Sequence, residues 1–256
     1  MRVTSIQIAR NDGKKEETVA RAVHLIESAP SSDFFILPEI WATGFFLFNR
    51  YQAESESLDG TTVGLFRNLA ARMGCHILMG SLVEKDGPDL YNTSILIDPK
   101  GEVIARYRKI HLFGYQSKEK ELLTPGKEVV VTETPWGKVG LATCYDLRFP
   151  ELFRKMVEQG AKFFLITSAW PKARLDAWVL FNRARAHENL AFLISCNCAG
   201  SDSGSQYAGH SMVVSPLGEV MAEGSDRQEL VFAETDPALV DSVRGDFSAL
   251  SDRVIF

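Results

Sequence analysis

The sequence predicts an α/β protein, a four-layer α-β-β-α sandwich of two mixed sheets packed face to face with helices outside. Three observations carry this. Short apolar strands alternate with amphipathic helices in both halves of the chain, so each half has a βαβ-like plan. Hairpins interrupt that alternation, which makes the sheets mixed instead of purely parallel. No internal repeat and no low-complexity linker divides the 256 residues, so one domain over residues 1–256 is expected. With 45% hydrophobic and 24% charged residues, a domain of this length can bury a sizeable core.

Residues 3–9 form the first strand, and residues 16–28 a helix, because Val19, Ala22, Val23 and Ile26 recur at helical spacing. Residues 34–37 are an all-apolar strand ended by Pro38. Leu65, Phe66, Leu69 and Met73 make residues 63–73 helical, with Gly74 as the stop. Residues 76–83, 91–97 and 102–110 are strands, the last two joined by Asp98-Pro99-Lys100-Gly101, where Pro fixes φ and Gly accepts a positive one. A second hairpin pairs residues 129–134 with 138–143 around Pro135-Trp136-Gly137. Pro150 suits the first turn of a helix whose Leu152, Phe153, Met156 and Val157 share one face. There follow a strand at 163–167, a helix at 175–189, a strand at 191–197 and a loop of small residues at 200–209. A last hairpin runs through 210–215 and 219–222 around Pro216-Leu217-Gly218, before a strand at 231–234 and a helical tail from Pro237.

Composition excludes several classes. Lys and Arg number 28 against 33 Asp and Glu, a net charge of -5 without a basic stripe, so no nucleic-acid or anionic-membrane partner is expected. Apolar runs such as Phe163-Phe164-Leu165-Ile166 fall far short of the roughly 20 residues that span a bilayer. The four cysteines, Cys75, Cys144, Cys196 and Cys198, are too few for a disulfide framework, and the start MRVTSIQIARNDGKK lacks the apolar centre of a secretory signal. A cytoplasmic location is expected. Cys75-His76 and Cys196-Asn197-Cys198 lack a partner cluster at ligand spacing, so neither a metal nor another cofactor is expected.

Three segments share a form in which an apolar strand runs out into a polar residue beside aromatics and a turn. They are Ile36-Leu37-Pro38-Glu39-Ile40-Trp41, the stretch from Tyr107 through Lys109 and His111 to Gly114, and the stretch from Val139 to Cys144-Tyr145-Asp146. Ligands of α/β sheets bind beyond strand ends. Each also has a plainer reading, with Glu39 and Lys109 as solvated charges and Cys144 as a small core residue. Cys144 has the best individual case, because it lies between a strand and the helix at Pro150, the geometry of a nucleophile elbow. Its thiol needs a nearby base, because only the thiolate attacks.

Taken together, LPEIWATG, YRKIHLFGY and GLATCYDLRFPEL resemble, in that order, the three signature blocks of the nitrilase superfamily of carbon-nitrogen hydrolases. SAWP, ARAHEN and YAGHSMVVSPLGEV are similar to the family as well, so the resemblance covers nearly the whole chain. It implies Glu39 as general base and acid, Lys109 as the cation beside the tetrahedral oxyanion with help from the Tyr145 N–H, and Cys144 as the nucleophile that forms a thioester. It also implies a supporting glutamate in a block resembling E-x-x-x-L-x-P-G. Glu119 occupies that place, with Glu121 as the near miss in a run that otherwise looks like a solvated charged loop. A Cys-His pair using His111 or His187 has no supporting sequence around it.

Tyr145-Asp146 after the nucleophile matches the amidase branches, not the nitrile-cleaving ones, and the chain most resembles the bacterial ω-amidase group, acting on 2-oxoglutaramate and related ω-amides of dicarboxylic acids. Ala177, where close relatives often carry His, is a departure. An N-carbamoyl amino acid or deaminated glutathione hydrolase is the alternative enzyme, and a non-catalytic module keeping the fold the alternative class. The partner implied is a small-molecule amide, and resemblance implies a homodimer. The second carboxylate of such a substrate needs a fixed cation, for which Arg174 is the candidate, with Trp41, Phe45 and Trp170 walling the pocket. Arg174 also has a surface reading, paired with Asp176 or Asp146.

Overall fold

Two six-stranded sheets organise the chain in the computed structural model, which describes residues 1–254. In spatial order the first runs Glu229–Glu234, Arg2–Gln7, Phe34–Ile36, His76–Asp86, Asp89–Ile97 and Val103–Arg108. The second runs Val131–Thr132, Val139–Thr143, Phe163–Ser168, Phe192–Asn197, Met212–Val214 and Val220–Glu223. In these orders both sheets show the same succession of pairings: antiparallel, parallel, parallel, antiparallel, antiparallel. The two halves therefore repeat one strand plan.

The sheets face each other. Ser94 Oγ lies 3.1 Å from both Thr143 Oγ1 and Thr167 Oγ1 across the interface, and Ser5 Oγ donates to the Ser195 carbonyl at 3.1 Å. Strand alternation then puts Leu141 and Leu165 on the same inner face, against Phe34, Ile36 and Leu78 of the first sheet. Gly140 and Phe164 point outward, where Phe153 of the helix Pro150–Glu158 meets Phe164 edge-on and a Cβ on Gly140 would come within 2.6 Å of Met156 Sδ. The helices Lys15–Ser28 and Thr61–Met73 cover the other outer face through Ala22, Ile26, Phe66 and Leu69. This is the expected α-β-β-α arrangement. Both faces of Phe163–Ser168 are covered, so all its residues are buried and its sequence is apolar without alternation.

Three local expectations differ from the structure. The strand expected over residues 3–9 ends at Gln7, and Ala9–Asn11 is a separate strand in another sheet. The segment 200–209 is not only a loop, because Ala199–Asp202 and Ser205–Gln206 join Ala9–Asn11 in a third, three-stranded sheet. Those strands are short and polar, and what holds them is the buried ion pair of Arg10 and Asp202, which local sequence pattern does not reveal. The strand expected to stop at residue 83 runs on to Asp86 and turns at Gly87, whose φ is +60°, into Asp89–Ile97. Glu84-Lys85-Asp86 looks like a solvated end, yet Glu84 is buried and accepts from Thr93, Arg106 and Arg108. No helix among the described residues is long and apolar enough to cross a membrane.

Candidate active site

Four strand ends converge where the two sheets meet. Phe34–Ile36 leads through Pro38 to Glu39, Val103–Arg108 into Lys109, Val139–Thr143 into Cys144, and Phe163–Ser168 into Ala169. The Glu39 N–H donates to the Ser168 carbonyl at 3.2 Å, joining the sheets at this point. Ile40, at φ +41°, then turns the chain sharply, so that Glu39 enters the site while Trp41 does not.

The polar centre is wholly buried. Lys109 Nζ donates to Glu39 Oε1 at 2.8 Å and to Glu119 Oε1 and Oε2 at 3.0 and 2.9 Å, and all three side chains are shielded from solvent. Asn92 Nδ2 donates to the same two Oε1 atoms, at 2.8 Å each. The remaining oxygens are also engaged, Glu39 Oε2 by the Ala169 N–H at 3.0 Å and Glu119 Oε2 by the Phe113 N–H at 2.6 Å. Burial alone would lower the Lys109 pKa, but Glu119 and Glu39 outweigh it and hold the ammonium above its ordinary value. Burial pushes the Glu119 carboxyl up, against the pull of Lys109. Glu121 is exposed two residues on, so the structure brings Glu119 and not Glu121 to the lysine.

Cys144 sits at φ +49°, in the left-handed region that a non-glycine residue rarely adopts, between the extended Thr143 and a tight 3₁₀ turn over Cys144–Arg148. Asp146 anchors this elbow. Its Oδ2 accepts from the Thr143 N–H at 2.9 Å and the Tyr107 hydroxyl at 2.6 Å, while its Oδ1 pairs with the His111 N–H at 3.1 Å and His111 Nδ1 at 2.7 Å. One carboxylate thus ties the elbow to the strand end that carries Lys109. His111, stacked on Phe149 at 3.7 Å, is part of this frame. Burial, reinforced by Glu39, pushes the Cys144 thiol well above its ordinary pKa, with Lys109 and the groups at Ser168 and Ala169 opposing.

The thiol faces a tight cleft of about 20 Å³ lined by Phe45, Phe46, Phe113, Tyr145, Arg148 and Trp170, among others. Phe46, Phe113, Pro171 and Arg174 continue into an open basin of about 660 Å³. Of the residues expected to wall the pocket, Phe45 and Trp170 line the cleft, as does Tyr145, and the Phe45 ring centre lies 5.4 Å from Lys109 Nζ. Trp41 does not line it. Its indole donates to the Met79 carbonyl at 2.7 Å and packs on Phe66 beneath the outer helix. Arg174 borders both cleft and basin, with its guanidinium 4.9 Å from the Tyr115 ring centre, and among the described residues it pairs with neither Asp176 nor Asp146. Arg148 lies deeper, 5.2 Å from the Trp170 ring and 5.0 Å from that of Phe181, also without a carboxylate partner among the described residues. Sequence reasoning missed Arg148 and Asn92. Arg148 stands only four residues after Cys144, a signal that was available, whereas Asn92 lies inside an ordinary-looking strand.

Comparison with known proteins identifies the family. Residues 2–245 match the carbon-nitrogen hydrolase family. The chain is 37% identical over 236 residues to a 2-oxoglutaramate amidase of Bacillus subtilis, covering 91% of this chain and 90% of that one. Its fold is similar to that of XC1258 from Xanthomonas campestris, described as a CN-hydrolase superfamily protein with an arsenic adduct in the active site, with a TM-score of 0.93, 31% identity, and 100% and 98% of the two chains covered. It is also similar, with a TM-score of 0.86, 25% identity, and coverage of 99% and 94%, to a glutamate-to-glutamine mutant of an amidase from Nesterenkonia sp. AN1 carrying the acetamide moiety of fluoroacetamide at its active-site cysteine. The chain belongs to the carbon-nitrogen hydrolase family and is an enzyme of its amidase group.

Proposed function

We propose that the protein hydrolyses ω-amides of dicarboxylic acids, of the 2-oxoglutaramate kind, to carboxylate and ammonia through a thioester on Cys144. The observation that carries this reading is the buried Glu39–Lys109–Glu119 cluster beside a strained cysteine elbow. Because burial keeps the thiol protonated, attack needs a base as the bond forms, and Glu39 takes the proton while Sγ bonds to the amide carbon. Of the three Lys109 N–H groups, one serves Glu39 and one the paired oxygens of Glu119, leaving the third for the oxyanion together with the Tyr145 N–H. Glu39 passes its proton to the nitrogen as the C–N bond breaks, and ammonia leaves. Water then attacks the thioester carbon and gives a proton to Glu39. The C–S bond breaks, and the departing thiolate takes that proton back.

The narrow cleft at Cys144 supports a small amide head, and the open basin has room for the rest of the substrate. Arg148 and Arg174 supply the cations a distal carboxylate requires. The amidase of B. subtilis supports the same substrate class, and the adduct in the Nesterenkonia enzyme, a thioether formed by loss of fluoride, supports a nucleophilic cysteine. The protein works as one domain in the cytoplasm and as a homodimer, whose pairing is supported by an apolar patch in which Leu180, 62% exposed on the helix Leu175–Asn189, shares a surface basin with the exposed Leu217.

Ammonia release across ω-amides, N-carbamoyl amino acids, deaminated glutathione and nitriles tests the substrate class, with 2-oxoglutaramate expected to show the highest kcat/KM. A preference for a carbamoyl substrate would overturn it. Glu39→Gln and Lys109→Ala should each lower kcat by about 10² to 10⁴-fold with the fold intact. Near-normal turnover in a folded Glu39→Gln protein would remove the assigned base.

A further inference from the structure

Asn92 joins the two glutamates in a way the mechanism above does not use. Its Nδ2 and Lys109 Nζ both bridge Glu39 Oε1 and Glu119 Oε1, so two nitrogens and two oxygens form a closed ring. Asn92 has only two amide N–H groups, and each carboxylate takes one. Its Oδ1 is buried with no hydrogen-bond partner among the described residues. Flipping the amide would turn Oδ1 against both carboxylates, so the site's charge fixes the amide as a donor and leaves its acceptor unused. The side chain is rigidly held, since Asn92 belongs to the strand Asp89–Ile97 between two neighbours, and its own carbonyl accepts the Lys109 N–H at 2.8 Å.

Two buried carboxylates that touch one ammonium have a second arrangement open to them. They can share a proton, with one becoming a neutral acid, as like charges close together in low dielectric favour. A proton held there would cost Glu39 its role as base. A neutral group donating to both oxygens opposes this, because each donor favours the charged form of the carboxylate that accepts it. It also takes up acceptor capacity that Lys109 alone would otherwise have to fill, which keeps the third lysine N–H available.

We propose that Asn92 is a positioning residue that keeps Glu39 and Glu119 apart as two acceptors and so commits Glu39 to be the base. This rests on the assignment of Glu39 above. The titratable groups around the amide are Glu39, Glu119, Lys109 and Cys144, with Tyr51 close enough to sense both glutamates.

The test is the pH dependence of kcat/KM for Asn92→Ala and for the near-isosteric Asn92→Asp, with rates normalised to the fraction of Cys144 that a slow substrate acylates. Loss of a donor raises the proton affinity of the carboxylates, so the acidic limb should move to higher pH in Asn92→Ala, and further in Asn92→Asp, where a third carboxylate is added. At neutral pH, kcat should fall about ten-fold or more while KM changes less than about three-fold. A purely structural role would lower the thermal midpoint and the acylated fraction but leave the acidic limb and the normalised kcat unchanged, and that result would overturn the proposal. Glu39→Gln measured alongside separates the two failures. Were it fully active, the base assignment would fall. Were it inactive while both Asn92 variants kept the wild-type limb, only the role of Asn92 would.

Discussion

Under the proposed function, Arg148 in the cleft and Arg174 at its rim would divide the recognition of a substrate carboxylate between them. Arg148 is flanked by Trp170 and Phe181 and has shed part of its water, so an anion reaching it meets a poorly screened charge. Arg174 borders the open basin, where water screens it more. A distal carboxylate a few bonds from an amide held at Cys144 therefore gains most from Arg148. Arg148→Met should raise KM for 2-oxoglutaramate about ten-fold or more, the loss of one charge-assisted contact of roughly 1.5 to 3 kcal/mol, and should spare a neutral amide such as propionamide. Arg174→Met should have a smaller effect in the same direction. Steady-state kinetics on the two substrates decide this, and equal losses on both would rule out carboxylate recognition.

At the scale of elements, the site was legible where function coincides with the end of a strand. Glu39 and Cys144 each follow a largely apolar run, Lys109 follows the mixed strand Val103–Arg108, and the structure brings all three to one place. Asn92 was not legible, because Tyr91-Asn92-Thr93-Ser94 is a polar run without alternation, and only the neighbouring strands reveal what its side chain meets. Trp41 misled for a related reason. It stands two residues after Glu39 in sequence, but the positive φ of Ile40 between them sends the two side chains to different compartments. The elbow owes its shape to Asp146, which accepts four hydrogen bonds and donates none. Asp146→Asn would set an N–H group against a donor at one of its oxygens. We expect a loss of at least about 2 kcal/mol of stability in urea denaturation and a fall in kcat larger than any change in KM. A variant with wild-type stability would show that the strained turn holds itself.

For the whole molecule, the two large sheets each have their own strands and helices, and what closes the chain beneath the cleft is the small third sheet. It pairs Ala9–Asn11 from the start of the chain with Ala199–Asp202 from the last third. Arg10 is the centre of this closure. Its guanidinium grips Asp202 with Nε at 3.1 Å from both oxygens and donates to the carbonyls of Trp41, Ala42 and Thr43 at 2.8, 3.3 and 3.1 Å, the segment linking Glu39 to Phe45. Tyr207 completes the set, with its hydroxyl on Asp202 at 2.7 Å and its ring stacked on Phe46 of the cleft wall. A fully buried pair of this kind gains little net energy over apolar groups of equal shape, yet breaking it leaves an isolated charge, at a cost of about 3 to 5 kcal/mol. Arg10→Met should therefore destabilise the protein by about that amount, because Asp202 is left unpaired. In Arg10→Met with Asp202→Leu that penalty is gone, so much of the stability should return. The three carbonyls would still have lost their common donor, so activity should not return with it. Denaturation midpoints and kcat/KM for the single and double variants measure the two effects separately. If activity recovered in step with stability, the pair would serve only to hold the sheet together, and the shape of the cleft wall would not depend on Arg10.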